Sequence, residues 1–290
     1  MTSEPRDVWE LKAELGEGPV WAERDKALWF VDIKKHQIHR FDPANGERKS
    51  WTAPQQVGFI LPAERGGFVT GLQSGLYHFD DQTGAFDLIV EVETDKPGNR
   101  LNDGVVDSTG RLWFGTMDNN ERAKSGAFYS FADGQLNHTG IDGIAITNGP
   151  AVSPGGDILY LVDTLKGTID AADISKDGRI GERRLFARID PADGHPDGPT
   201  IDSEGCVWIS LYGGWETRRY SPGGKFVDSV RFPVANITKI AFGGGDLRTA
   251  YATTARQLLK PEDIARQPQI GDLFEFRTEV PGLRCPLVRY

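Results

Sequence analysis

Four polar residues occupy equivalent positions in a repeated sequence pattern. Each lies one or two residues before a glycine. They are Glu17, Asn102, Asn148 and Asp197, and they precede the aromatic residues Trp29, Trp113, Tyr160 and Trp208 by 11 or 12 positions. Two carboxylates and two amides make an oxygen-only donor set, which suits a hard divalent cation such as Ca²⁺, Mg²⁺ or Mn²⁺. Asp-Gly and Asn-Gly pairs also form plain turns, but four of them in one repeat position favour a binding site.

Two more residues could contact a ligand at this place. Arg100 precedes Asn102 by two positions, so both side chains point to the same side of an extended chain. The five histidines show no HxH or HExxH spacing, and we expect them at the surface. His195, two residues before Asp197, is the exception that needs a structural test.

Internal repeats indicate the scaffold that would bring these residues together. Six segments rich in aromatic and β-branched residues recur every 39 to 48 positions: LWFVD, GFVTGL, RLWFGT, ILYLVDT, CVWISLY and TAYATTA. Each has a strand-like segment and a turn before it and a third strand after it. This interval is typical of the blades of a β-propeller. We therefore predict an all-β fold, a six-bladed β-propeller of four-stranded blades.

The two ends of the chain suggest how such a ring closes. VWELKAEL near the N-terminus and GDLFEFRTEV near the C-terminus are both strand-like, and neither completes a blade alone. We predict that they share one blade. Only LLKPEDIARQ has the character of a short helix. No linker or shift in composition divides the chain, so residues 1–290 are expected to form a single domain.

Composition excludes several classes of function. The 33 Lys and Arg residues face 42 Asp and Glu residues, a net charge of −9, which opposes binding to nucleic acid or to anionic membranes. No signal peptide or membrane-spanning run is present, and the two cysteines lie far apart without metal-binding spacing. We expect a cytoplasmic protein with free thiols. GxSxG and P-loop motifs are absent, which argues against serine-hydrolase and NTPase chemistry.

The sequence resembles the SMP-30/gluconolactonase family, which includes regucalcin and bacterial sugar-acid lactonases. The matching strings are LGEGPVW, RLNDGVVDSTGRLWFGTM, ITNGP, PDGPTIDSEGCVWISLYGG and FGGGDLRTAYATTAR, in the family's order over nearly the whole chain. The resemblance implies one divalent ion held by Glu17, Asn148 and Asp197, with Arg100 and Asn102 on the substrate. LWFVDIK and GERKSW are most similar to the bacterial xylono-, arabinono- and gluconolactonase branch.

One difference from the family concerns the substrate. Some members carry a substrate-binding Glu shortly after GTM, whereas here Met117 is followed by a shorter loop that contains Asn120 and Glu121. Either residue could take that place. The family pattern therefore leaves the preferred sugar open while it indicates the class of reaction.

These observations together predict a metal-dependent hydrolase of a sugar-acid lactone, with Asp197 as the base for the attacking water. Ca²⁺ is favoured by the type of ligand, and Zn²⁺, Mn²⁺, Mg²⁺ or Fe²⁺ are alternatives. A non-catalytic cation-binding propeller and another ester or organophosphate hydrolase are the rival functions. We expect a small-molecule sugar lactone as partner and a monomer or weak homo-oligomer.

Overall fold

The computed structural model describes residues 3–290 and confirms the predicted six-bladed β-propeller. Its strands lie in six four-stranded antiparallel sheets arranged in a ring. In chain order they are β1 (Arg6–Trp9), β2 (Gly16–Ala22), β3 (Ala27–Asp32), β4 (Gln37–Asp42), β5 (Glu47–Thr52), β6 (Val57–Pro62), β7 (Phe68–Leu72), β8 (Gly75–Phe79), β9 (Phe86–Glu91), β10 (Asn99–Val106), β11 (Leu112–Asp118), β12 (Gly126–Ala132), β13 (Gln135–Ile144), β14 (Thr147–Val152), β15 (Ile158–Asp163), β16 (Thr168–Ile174), β17 (Ile180–Arg188), β18 (His195–Ile201), β19 (Val207–Tyr212), β20 (Glu216–Tyr220), β21 (Phe226–Arg231), β22 (Ile237–Gly243), β23 (Thr249–Thr254) and β24 (Leu273–Arg277).

Five blades are built from consecutive strands, beginning with β2–β5 as blade 1 and ending with β18–β21 as blade 5. The first strand of each blade is buried along nearly its whole length, whereas the fourth is largely exposed. The inner strands β2, β6, β10, β14, β18 and β22 contact one another around the full ring. They therefore line a central channel, and all six run through it in the same direction.

Blade 6 closes the ring with strands from both ends of the chain, as predicted. Its order is β22, β23, β24 and β1, and β1 pairs with β24 in antiparallel fashion. Arg6 lies opposite Glu275 in this pair, and the two side chains form an ion pair. Because the N-terminal strand completes a sheet made by the C-terminal strands, opening the ring requires the loss of a whole ladder.

Inside the blades, an aspartate of the first hairpin binds the tryptophan of the second strand. The indole Nε1 atoms donate to Asp25, Asp107 and Asp202 at 3.1, 2.9 and 3.0 Å, from Trp29, Trp113 and Trp208. Asp202 is fully buried and also accepts from Arg219 Nε at 2.7 Å and from the Cys206 backbone N–H. The indole N–H groups of these three tryptophans thus have partners, as a dry interior requires.

The end of the chain passes across one mouth of the channel, which we call the lower mouth. Residues 281–290 exchange backbone hydrogen bonds with the first hairpins of four blades, at Ser203, Leu247, Pro62 and Gly110. Val288 is fully buried. This segment covers a cavity of about 260 Å³ inside the channel.

Helical structure is confined to two short pieces of the described chain, the 3₁₀ turn Pro191–Asp193 and α1 (Pro261–Arg266), which lies within the predicted helical segment. No helix among residues 3–290 is long and apolar enough to cross a membrane. Both cysteines are free thiols, as expected. The expectation that all histidines lie at the surface was wrong for His39, which is buried and contacts Ser50 Oγ at 2.7 Å.

Candidate active site

A bulge in each inner strand positions the predicted site residues. The pairing with the second strand shifts in register after Glu17 in β2, after Leu101 in β10, after Asn148 in β14 and after Pro196 in β18. Such a bulge leaves residues outside the ladder and redirects their side chains. The polar residues therefore leave the ladder at the same level of the channel.

The register also explains the unequal spacing in the sequence. The residues paired with Trp29, Trp113, Tyr160 and Trp208 are Val20, Val105, Ala151 and Thr200. In all four blades the polar residue stands three positions before this partner. The spacings of 11 and 12 thus differ only through the length of the hairpin.

All five predicted site residues line one pocket at the upper mouth of the channel: Glu17, Arg100, Asn102, Asn148 and Asp197. Each is at most 5% exposed, so they form a buried floor. The pocket has a volume of about 210 Å³, below the roughly 300–1,000 Å³ usual for drug-sized ligands. Its size suits a molecule of one sugar ring.

The two carboxylates of the floor lack a cationic partner. Within residues 3–290 neither Glu17 nor Asp197 forms an ion pair, and Asp197 Oδ1 is buried without a hydrogen bond. Burial, with the Asp103 carboxylate adding to it, raises the pKa of Glu17 to about 7. Burial and the nearby carboxylates of Glu17 and Asp103 raise the pKa of Asp197 well above its usual range. Two buried carboxylates that line one pocket without a cationic partner are suited to binding a cation.

Asn148 supplies a third oxygen in a fixed orientation. Its Nδ2 donates to Thr164 Oγ1 at 2.9 Å, and its Oδ1 accepts from Asn102 Nδ2 at 3.0 Å, which leaves a second lone pair on Oδ1. The described chain holds no cluster of three or more His, Cys, Asp and Glu side chains. A metal centre here therefore depends on this amide, and the donor set of Glu17, Asn148 and Asp197 fits a hard divalent cation with open positions.

Arg100 is buried beside these residues but is not paired with a carboxylate. Its Nη1 donates to the Leu101 carbonyl at 3.2 Å and to Asn102 Oδ1 at 2.5 Å, whereas its Nε has no partner. Burial lowers the pKa of Arg100 to about 10, so the guanidinium stays charged at neutral pH. A buried cation with a free donor at a pocket is suited to an oxygen-rich ligand.

Beneath the floor lies an ion pair that the sequence did not reveal. Lys239 Nζ of blade 6 donates to both carboxylate oxygens of Asp103 in blade 3 at 2.7 Å. Blades 3 and 6 are opposite in the ring, so the pair crosses the channel and separates the floor from the lower cavity. We call it the channel ion pair. Two features of the sequence could have indicated this pair: Asp103 directly follows Asn102, and Lys239 is the only charged residue in the apolar run ITKIAF.

Of Asn120 and Glu121, Glu121 lies at the rim of the pocket. Glu121 lines the pocket, and its Oε1 accepts from Gln257 Nε2 at 2.7 Å. Asn120 instead directs its backbone N–H and its Nδ2 to Asp118. His195 is exposed at the rim. Tyr212 and Gln257, which the repeat pattern did not single out, complete the polar part of the wall.

Comparison with known proteins places this site in a family. The family model described as SMP-30/Gluconolactonase/LRE-like region matches residues 15–256. The 6-deoxy-6-sulfogluconolactonase of Pseudomonas putida is 35% identical over 94% of this chain and 94% of its own. The L-arabinolactonase of Azospirillum brasilense is 35% identical over 94% of this chain and 92% of its own.

Among solved structures, a calcium-binding protein, regucalcin, from Agrobacterium tumefaciens superimposes with a TM-score of 0.96 at 29% identity. It covers 99% of this chain and 98% of its own. Lactonases are hydrolases of carboxylic esters, so the relatives named as lactonases agree with the reaction class that the sequence predicts. The residues matched by the family model, 15–256, include β2 to β23 and the pocket floor. The chain belongs to the SMP-30/gluconolactonase/LRE-like family.

Proposed function

We propose that this protein hydrolyses a sugar-acid lactone to the free aldonic acid with the help of one divalent cation at Glu17, Asn148 and Asp197. The observation that carries the proposal is the pair of buried carboxylates that faces a pocket of one-ring size without a cationic partner. The relatives named as lactonases support the reaction class. A 1,4- or 1,5-lactone of a pentonic or hexonic acid is the substrate class that we propose.

In this reaction a water oxygen bonds to the lactone carbonyl carbon, and the ring C–O bond then breaks. A bound divalent cation supplies the Lewis acid that polarises the carbonyl. Asp197 takes the proton of the attacking water, for which its unpartnered Oδ1 is free. The same proton reaches the ring oxygen as it leaves, so the products are a hydroxyl group and a carboxylic acid, which releases the second proton of the water to solvent and becomes a carboxylate.

The remaining polar groups of the pocket hold the substrate. Arg100 offers its free Nε–H to ring or hydroxyl oxygens, and Asn102 fixes both Arg100 and Asn148 through its own side chain. Glu121 lies where it can accept hydrogen bonds from sugar hydroxyls at the rim. We propose that Glu121, and not Asn120, takes the place of the substrate-binding Glu of the family.

The proposal is tested in a pH-stat assay with 1,4- and 1,5-aldonolactones, before and after EDTA treatment and after addition of Ca²⁺, Mn²⁺, Mg²⁺ or Zn²⁺. We expect hydrolysis that EDTA abolishes and that at least one metal restores. Asp197→Asn should lower kcat by at least about 100-fold, the size typical for loss of a general base.

The control is Asp228→Asn, an exposed aspartate on the outer strand of the same blade. It should retain the activity of the unmodified protein. Absence of turnover on every lactone with every metal would overturn the proposed function, and normal turnover in Asp197→Asn would remove that residue from the role of base.

A second candidate is a non-catalytic cation-binding protein, because one solved relative is described as a calcium-binding protein, regucalcin. The same cluster of Glu17, Asn148 and Asp197 would then bind the ion alone. The assay distinguishes the two functions, since binding of Ca²⁺ by calorimetry without lactone turnover supports the second. Arg100 favours the enzyme, because a buried guanidinium beside a cation site is better explained by an oxygen-rich ligand between them.

A further inference from the structure

The channel ion pair of Asp103 and Lys239 has no part in the reaction described above, yet it lies directly below the proposed cation site. Asp103 is 2% exposed, and the Lys239 side chain is 9% exposed. Neither residue lines the upper pocket, but both line the lower cavity. The pair is therefore out of reach of a substrate and can act on the site only through its charges.

Four hydrogen bonds hold the Asp103 carboxylate in place. Its Oδ1 accepts the Gly104 backbone N–H at 2.8 Å, and its Oδ2 accepts the Gly149 backbone N–H at 3.1 Å. Both oxygens also accept from the Lys239 ammonium. The carboxylate therefore has a fixed position across the channel from blade 6.

A glycine beside Lys239 leaves room for the lysine side chain. The side chain of Lys239 passes beside Gly198, where an added Cβ would lie 2.6 Å from Lys239 Cγ. Gly198 directly follows Asp197, so the lysine stem packs against the backbone of a proposed metal ligand. Any larger residue at position 198 would displace the ammonium from Asp103.

Both charges of this pair lie next to the proposed ligands. Asp103 Oδ2 accepts the N–H of Gly149, which follows Asn148, and the Lys239 stem packs on Gly198, which follows Asp197. Toward a cation held above, the two charges act in opposite senses, since a carboxylate attracts it and an ammonium repels it. Buried charges are poorly screened, so both effects extend over the short distance between pair and site.

We propose that the channel ion pair sets the cation affinity of the site, with Lys239 offsetting a third buried carboxylate that would otherwise tighten binding. Lys239 thus acts on the site through its charge, as a positioning residue, and does not touch the ion or the substrate. This inference rests on the cation site of the proposed function. If the inference holds, the cation affinity is moderate, and the ion keeps positions for water and substrate.

A double-mutant cycle tests this inference, with the dissociation constants of Ca²⁺ and, separately, Mn²⁺ measured by titration calorimetry at one pH. Lys239→Met keeps the apolar stem and removes the charge, and we expect it to tighten binding by about tenfold. Asp103→Asn keeps the shape and leaves the ammonium alone, and we expect it to weaken binding by about tenfold. The double variant should return to within about threefold of the unmodified protein.

A purely structural role predicts a different pattern, in which both single variants weaken binding and the double variant is no better. That pattern, or an unchanged affinity in both, overturns the inference. If Lys239→Met alone does not fold, the double variant is compared with Asp103→Asn. Only an effect of charge predicts that loss of the lysine restores the cation affinity that Asp103→Asn lowers. Absence of any binding in the unmodified protein overturns the proposed cation site and this inference together.

Discussion

Glu17 and Asp197 are buried as a pair at the floor of the upper pocket, which makes the charge state of these two residues the central variable of the site. A carboxyl whose pKa rises on folding is bound more tightly to its proton in the folded protein than in the unfolded chain. For Glu17 the rise is from 4.5 to about 7. Proton and cation therefore compete for the same oxygens.

This competition gives a pH dependence with a definite sign. Without a cation, the contribution of Glu17 to stability is fully present below pH 4.5 and is lost as the pH rises through about 7. A bound cation offsets this loss, because it binds the ionised form. We expect the increase in Tm produced by millimolar Ca²⁺ to be larger at pH 8 than at pH 5.5, measured by scanning calorimetry.

The control for this prediction is Glu17→Gln, which removes the titrating group and retains the shape of the side chain. It should reduce the difference between the two pH values. An increase in Tm that is the same at both pH values in the unmodified protein would show that Glu17 does not bind the cation.

At this scale the sequence identified the five residues of the floor but not the ion pair beneath them. Glu17, Asn102, Asn148 and Asp197 share a repeat position, which a pattern can reveal. Asp103 and Lys239 are 136 positions apart and belong to opposite blades. Each residue stands out in its own segment, but their contact depends on ring closure, which no local pattern in the sequence shows.

At the scale of the strand, the bulges of the inner strands are the feature that makes the site. The sequence predicted the strands and the equivalent positions, whereas the bulges follow from how glycine and proline interrupt each ladder. Gly18 and Gly149 take positive φ angles of 54° and 71° at these interruptions, a conformation that side chains disfavour. The glycines that follow Glu17 and Asn148 therefore bend the chain at the bulges.

The hairpin aspartates give a prediction on stability at the level of one blade. Asp202 binds Trp208 Nε1, Arg219 Nε and two backbone N–H groups. Asp202→Ala leaves Nε of the poorly exposed Arg219 and the buried indole N–H without acceptors. We expect a loss of about 3–5 kcal/mol of unfolding free energy, the cost of breaking a buried ion pair, measured by urea denaturation.

The matched control is Asp177→Ala, which removes another hairpin aspartate whose ion pair with Arg179 is largely exposed. It should leave the denaturation midpoint unchanged within error. Equal losses in both variants would mean that the aspartate acts through its turn alone and not through the tryptophan and arginine.

At the scale of the whole molecule, the ring has two closures. The first is blade 6, where β1 and β24 pair, and the sequence predicted it from two incomplete strand patterns. The second is the segment 281–290, which ties four blades together across the lower mouth. It has no strand or helix pattern, because its backbone bonds go to hairpins of different blades, and no feature of the sequence predicted it.

Deletion of residues 281–290 should therefore lower Tm without loss of the upper site. Loss of the buried Val288 side chain alone costs about 1.5–3 kcal/mol, and the lost hydrogen bonds add to this, so we expect Tm to fall by at least about 5 °C. Cation affinity should change by less than about threefold, because the segment covers the opposite mouth. Leu287→Ser, at a half-exposed position of the same segment, is the control and should leave Tm nearly unchanged.

The equivalent positions of the six inner strands also determine how this scaffold could acquire a different chemistry. Four positions carry the polar residues, and the remaining two are Gly58 and Thr238. A Cβ at position 58 would overlap the Leu101 carbonyl oxygen, so that position is closed to any side chain. Thr238 makes hydrogen bonds to Gly16 O and Thr253 Oγ1 that a larger polar residue could replace. Of these two unused repeat positions, 238 is thus the one that can take a larger polar side chain while Glu17, Asn102, Asn148 and Asp197 are all retained.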